Sequence, residues 1–164
     1  MQQEKKVLFV CLGNICRSPM AEGIFKKKVE EAGLSNHFVI DSCGTTGQHS
    51  GELPDYRARK VAQKNNIELQ HRARKFTKID FTNFDLIVAM DTQNLFEIQR
   101  IAQPAQMEKV KLMMEFSDLF PAERNVYDPY YDSEDKFEEV FDLLKSCSSK
   151  LLQSLIQNNH ESSI

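Results

Sequence analysis

An open, three-layer α/β fold around a central parallel sheet is predicted for this chain by the way its apolar residues are distributed. Short, nearly continuous apolar runs alternate with longer segments whose apolar residues recur at helical spacing. A strand buried on both faces reads as an unbroken apolar run, the mark of a parallel sheet covered by helices. The chain has 164 residues, enough to bury about 68–70% of the surface of its unfolded form in one core. Without a linker, internal repeat or low-complexity tract, residues 1–164 are expected to form a single domain.

In order along the chain, residues 5–11 carry the run Val7-Leu8-Phe9-Val10, the first buried strand. A polar turn containing Gly13 follows, and Ser18-Pro19 reads as a helix start, Ser at the N-cap and Pro at the first helical position. Met20, Ile24, Phe25, Val29 and Ala32 continue it at helical spacing up to Gly33. Phe38-Val39-Ile40 suggests a second strand, residues 53–65 a helix rich in basic residues, and residues 84–90 a third strand with Asp91 capping the next helix. A weaker strand is expected at 110–113, then an irregular stretch over 115–132, then a helix whose apolar stripe runs from Phe137 through Leu144 to Leu155.

Composition narrows the functional classes. The net charge of −3 gives no global attraction for nucleic acid or an anionic membrane. No apolar run approaches the roughly 20 residues of a membrane-spanning helix. Lys5 and Lys6 precede a run too brief for a signal peptide, so a cytoplasmic protein is expected. Four scattered cysteines, Cys11, Cys16, Cys43 and Cys147, fit reduced thiols better than a disulfide framework, and none has zinc-site spacing.

The turn after the first strand holds the chemistry. Cys11-Leu12-Gly13-Asn14-Ile15-Cys16-Arg17-Ser18 sets a thiol and a guanidinium six positions apart across a strand-to-helix turn. Successive backbone N–H groups in such a turn form an anion nest, the helix N-terminus adds partial positive charge, and Arg17 can fork two oxygens of a phosphate. The same field favours the thiolate of a cysteine at its edge. A thiol and an arginine at this spacing arise by chance for roughly one cysteine in twenty. The other three cysteines are followed at that distance by Glu22, His49 and Gln153, so only Cys11 fits, and only Cys11 stands where a strand stops and a helix begins. Expelling an alkoxide or phenolate from phosphorus also calls for an acid, and Asp128, opening Asp128-Pro129-Tyr130-Tyr131-Asp132, is the candidate. By spacing alone an Asp-Pro pair is more often a plain turn.

Together these segments make the chain resemble the low-molecular-weight protein tyrosine phosphatases over nearly its whole length. The shared blocks run from Val10 to Glu22, then Asp41-Ser42, Gly44-Thr45, His71, Met90-Asp91, Asn94-Leu95 and Asp128 to Tyr131. The resemblance implies a parallel sheet of about four strands flanked by helices. It implies Cys11 as nucleophile, Arg17 as phosphate clamp, and Asp128 as acid and then base, with neither metal nor cofactor. It also implies that Leu12, Gly13, Asn14, Ile15, Cys16 and Ser18 shape the phosphate loop, that Ser42, His71 and Asp91 support it, and that Leu12, Ile15 and Tyr130 wall the ring of the substrate. Asp91 would orient Arg17, and Cys16 would form a reversible disulfide with Cys11 under oxidation. Gln48 stands where many members place tryptophan, in a chain without any. Gln48, His49, Tyr130 and Tyr131 are assigned to the pocket wall, His49 with no chemical role. The expected partners are phosphotyrosine-containing proteins, with inorganic phosphate or related oxyanions as inhibitors, and the expected state is a monomer binding neither nucleic acid nor membrane.

Three other readings compete. Arsenate reductases use the same scaffold but relay oxidation through further cysteines, and none lies between Cys43 and Cys147. Arginine-phosphate phosphatases carry a small polar residue where Ile15 stands, and an apolar branched side chain suits a flat ring better than a guanidinium. A non-catalytic phosphate-binding module has no use for Cys11, Arg17 and Asp128 together.

Overall fold

The computed structural model describes residues 4–162, with side chains up to Asn158. Four parallel strands form one sheet in the order β2-β1-β3-β4: β1 (Lys5–Cys11), β2 (Phe38–Gly44), β3 (Leu86–Ala89) and β4 (Val110–Leu112). The helices are α1 (Arg17–Glu31), α2 (Tyr56–Lys64), α3 (Ile79–Asn83), α4 (Thr92–Ile101) and α5 (Glu134–Ser162). The four expected strands are present, and the short α3 has no apolar periodicity by which it could have been read. Among the described residues, no helix is long and apolar enough to cross a membrane.

Alternation along β1 divides the interior into two cores. Val7 and Phe9 point into one with Met20, Ile24 and Phe25 of α1 and Phe137, Phe141 and Leu144 of α5. Leu8 and Val10 point into the other with Phe81, Ile87, Ile98 and Leu112. Phe25 joins the layers, its ring packing edge-on against both Phe9 and Phe38 at 5.7 Å. The apolar runs of β1 and β3 are thus continuous because both faces are covered.

Register brings the chemistry to one edge. Cys11 pairs with Gly44 and Val10 with Ala89, so β1, β2 and β3 end level. The chain leaves β1 towards β2 on one side and returns past it to β3 on the other, which opens a crevice at the carboxyl ends of β1 and β3. Gly44 lets the turn after β1 settle directly on β2: a Cβ there would lie 2.7 Å from the Leu12 carbonyl oxygen and 3.1 Å from the Asn14 nitrogen.

Two helix starts differ from expectation. The first helix begins at Arg17 with Cys16 at its cap, so Ser18 lies inside it and its hydroxyl is turned to Cys11 and Asn14. A propensity for capping has yielded to a tertiary hydrogen bond. The second helix starts at Tyr56, where the Asp55 side chain accepts from the Arg57 N–H at 2.8 Å, and residues 53–55, with Pro54 among them, stay outside it. Asp91 caps α4 as expected, accepting from the Asn94 N–H at 2.7 Å.

Candidate active site

Residues 11–18 wrap from the end of β1 into α1. Their carbonyls turn outward: Cys11 accepts from the Thr45 N–H at 2.9 Å, Leu12 from Thr46 at 3.0 Å and Ile15 from Asp55 at 2.8 Å. Among the described residues, no protein acceptor takes the backbone N–H groups of Leu12 to Arg17. Six consecutive donors without a partner, at the N-terminus of a helix, form an anion nest.

Asn14 holds this shape. Its φ of 59° places it in the left-handed region, where asparagine is among the few residues tolerated. Its side chain is 1% exposed and saturated: Nδ2 donates to Ser18 Oγ at 2.8 Å and Ser42 Oγ at 3.0 Å, while Oδ1 accepts from the Arg74 N–H at 3.0 Å and faces His71 Nε2 at 2.8 Å. The chain of bonds continues, since Ser42 Oγ donates to Glu22 Oε1 at 2.7 Å and His71 Nδ1 lies 3.3 Å from Glu22 and 3.4 Å from Asp41. Glu22, Asp41 and Arg74 belong to this network although sequence reasoning gave them no role. Glu22 and Asp41 lie within shared blocks, which was the available signal; Arg74 reaches Asn14 through its backbone N–H and Asp41 through its guanidinium at 3.0 Å, partners too distant along the chain to leave a trace in sequence. Glu22, Asp41 and His71 also form the one cluster with metal-ligand spacing among the described residues. Its carboxylates are already engaged by Lys26, Ser42 and Arg74.

Cys11 Sγ lies 3.0 Å from Ser18 Oγ. Arg17 is 2% exposed, with Nη1 donating to Asp91 Oδ2 at 2.7 Å and to the Val126 carbonyl at 3.0 Å, while Nη2 reaches Asp128 Oδ2 at 3.4 Å. Burial works against its charge, but Cys11, Asp128 and Asp91 outweigh it and hold the guanidinium above its ordinary value. Asp91 therefore both caps α4 and orients Arg17. Burial pushes the Cys16 and Cys43 thiols well up, with nearby carboxylates adding to it, and the Cys147 thiol up to about 11. All four cysteines are free.

The segment before α5 brings Asp128 across the crevice. The Val126 N–H donates to the Met90 carbonyl at 2.8 Å, and Arg57 of α2 donates to the Tyr130 carbonyl at 2.8 Å while paired with Asp55 at 3.0 Å. Arg57 was visible in sequence only as one basic residue of a basic helix. The resulting pocket has Cys11 and Arg17 at its floor, Asp128 at its side, and Leu12, Ile15 and Tyr130 as walls. Gln48 and His49 line its mouth with Tyr131, which is 94% exposed. Every residue assigned to the wall lines this pocket, as do Leu12, Gly13, Ile15 and Cys16 of the loop, while Asn14 and Ser18 are buried behind it with Ser42, His71 and Asp91.

Comparison with known proteins agrees with this geometry. The sequence profile described as low molecular weight phosphotyrosine protein phosphatase matches residues 6–161. A protein of that name from Schizosaccharomyces pombe is 46% identical over 156 residues, covering 94% of this chain and 99% of the relative. The crystal structure of a protein tyrosine phosphatase from Entamoeba histolytica superposes with a TM-score of 0.90 at 36% identity, covering 95% of this chain and 99% of that one. A structure described as a Drosophila arginine phosphatase gives 0.85 at 30% identity, covering 92% and 97%. With its sheet order, its cysteine and arginine on one loop and these matches along nearly its full length, the chain belongs to the low molecular weight phosphotyrosine protein phosphatases, a family of hydrolases.

Proposed function

We propose that the chain hydrolyses phosphotyrosine in proteins, and small aryl phosphates, through a covalent phospho-cysteine on Cys11. The observation that carries this reading is the row of unpaired N–H groups from Leu12 to Arg17 that begins beside the Cys11 sulfur. A phosphoryl group seated there has its equatorial oxygens held by the amides and Arg17, with phosphorus in line for the thiolate. Ser18 Oγ, at 3.0 Å, donates to that thiolate.

In the first step the sulfur lone pair attacks phosphorus, the bond from phosphorus to the tyrosine oxygen breaks, and the Asp128 carboxyl delivers its proton to the departing phenolate. In the second, the Asp128 carboxylate takes a proton from water as the water oxygen attacks phosphorus, and the S–P bond breaks to release phosphate and the thiolate. The scheme draws on no metal or cofactor. Ile15, Leu12 and Tyr130 offer a flat aromatic ring an apolar slot. In this reading the working unit is a single domain over residues 1–164, a cytoplasmic monomer that inorganic phosphate or a related oxyanion inhibits by filling the loop.

The likeness to an arginine phosphatase supports a second reading, phosphoarginine in proteins, against which Ile15 weighs because an apolar branched wall leaves a guanidinium unsolvated. Turnover of phosphotyrosine and phosphoarginine peptides in excess chelator separates the two. Preference for phosphotyrosine is expected. Cys11→Ser should lower that turnover on the order of 10⁴-fold or more, and Asp128→Ala by about 10²- to 10⁴-fold, less so for 4-nitrophenyl phosphate, whose leaving group needs little protonation. A Cys11→Ser protein as active as wild type would falsify the covalent route.

A further inference from the structure

Tyr127 sits between two residues that the site uses, and the hydrolysis above gives it no task. Val126 before it is buried and offers its carbonyl to Arg17 at 3.0 Å, and Asp128 after it lines the pocket as the proposed acid. The Tyr127 side chain is 52% exposed and lies outside the pocket lining. Its hydroxyl nevertheless has a fixed partner, donating to Asp132 Oδ2 at 2.8 Å, while the Lys136 ammonium lies 5.1 Å from the centre of its ring. The hydrogen bond to Asp132 is the chief cause that holds this phenol above its ordinary value, so the hydroxyl stays a donor through the acid and neutral range.

Asp132 is tied from the other side. Arg57 of α2, paired with Asp55, donates to the Asp132 carbonyl at 2.5 Å and to the Tyr130 carbonyl at 2.8 Å, and the Asp132 N–H donates to the Pro129 carbonyl at 2.9 Å. Residues 127–132 are thus closed into a ring by one side-chain bond. A path of hydrogen bonds runs from α2 through Asp132 to Tyr127, whose main chain leads directly into Asp128. Inside the ring the Asp128 carboxyl is held weakly: Oδ1 accepts from the Tyr130 N–H at 3.2 Å, and Oδ2 lies 3.4 Å from Arg17 Nη2. Both lengths stand at or beyond the long end of the ordinary range, so the place of the carboxyl depends on the shape of the ring that carries it.

We propose that Tyr127 is a positioning residue, its hydroxyl clasping Asp132 so that the ring of residues 127–132 stays closed and the Asp128 carboxyl stays within reach of the leaving oxygen. The assignment rests on the phosphatase reading above and deepens it, adding to the acid the group that places it. A proton donor set out of line costs most where the leaving oxygen most needs its proton, and little where the phenolate departs unaided.

The test compares kcat/KM for phenyl phosphate, whose leaving group needs the proton, with that for 4-nitrophenyl phosphate, whose leaving group needs it little. Tyr127→Phe removes the hydroxyl and keeps the ring beside Lys136. It should lower the value for phenyl phosphate by about two- to tenfold, the range of one hydrogen bond, and leave 4-nitrophenyl phosphate within about twofold of wild type. Asp132→Ala removes the acceptor, keeps the main-chain bond to Arg57 and should give the same selective loss; it decides the matter if Tyr127→Phe does not fold. Asp132→Asn retains an acceptor and should stay near wild type. Since both side chains serve one bond, the double variant of Tyr127→Phe with Asp132→Ala should lose no more than either alone. Equal losses for the two substrates, which a merely structural role would give, overturn the proposal. So do an unchanged ratio in both single variants, losses that add in the double variant, or a full loss in Asp132→Asn. Aryl phosphates left intact by wild type would overturn the phosphatase reading instead, and an Asp128→Ala protein with no selective loss for phenyl phosphate would overturn the acid assignment.

Discussion

In the phosphate loop, Asn14, Arg17 and Ser18 are at most 2% exposed and each is bonded to another element, whereas residues 117–125, on the approach to Asp128, contain no fully buried side chain. The loop is braced from behind by β2, by His71 and by the segment around Arg74. The segment carrying Asp128 is fastened at a few points, chiefly Val126 to Met90 and Arg57 to Tyr130. Groups that bind charge must be in place before the ligand arrives, since reorganising them during the reaction would raise the barrier. In the proposed reaction the group that moves a proton, Asp128, needs only to come within reach of the leaving oxygen, and a segment held at fewer points serves for that.

Breaking the brace should cost most. Asn14→Ala leaves a left-handed residue without its four bonds and the Ser18 and Ser42 hydroxyls short of a donor. A fall in kcat of about 10²-fold is expected, with a stability loss of about 2–4 kcal/mol in urea unfolding. An unchanged kcat would show that the loop holds its form unaided.

Loosening the other half should cost less. Arg57→Ala removes the hold on the Tyr130 carbonyl and should lower kcat/KM for phosphotyrosine by about tenfold or less, with little change in phosphate inhibition. Equal losses in both would mean that the two halves form one unit. The smallest response is expected from the remaining thiols. Burial raises Cys16, Cys43 and Cys147, so below their raised values they stay neutral and unreactive. The proposed mechanism makes Cys11 the nucleophile, so alkylation of the folded protein should label Cys11 first, and labelling of the other three should follow only unfolding or strongly alkaline pH, as mass mapping of the peptides would show.

The parts of the site legible in sequence are those whose partners are close along the chain or carried by a recognisable block. The thiol and the guanidinium of the loop lie six positions apart, and the strand before them announces itself by Val7 to Val10. Ser18 was misread as a cap because its hydroxyl serves Cys11 and Asn14, a use that no local propensity expresses. Arg57 and Tyr130 are joined across 73 positions, and Arg74 and Asn14 across 60, so their association exists only once the sheet has formed. Asp128 stands between the two cases. Its Asp-Pro pair is an ordinary turn by spacing, and family likeness rather than local chemistry marked it out.

Gly44 bears on how such a site can vary. Because the loop rests on bare main chain at the end of β2, the spacing between the loop and that strand is gauged by the thickness of one peptide unit, with no side chain between to be resized. Substitutions at Leu12, Gln48 or His49 can therefore remodel what enters the mouth while the seat beneath keeps its dimensions. In the proposed reaction, selectivity and anion grip would then lie on separate adjustments of the same small crevice.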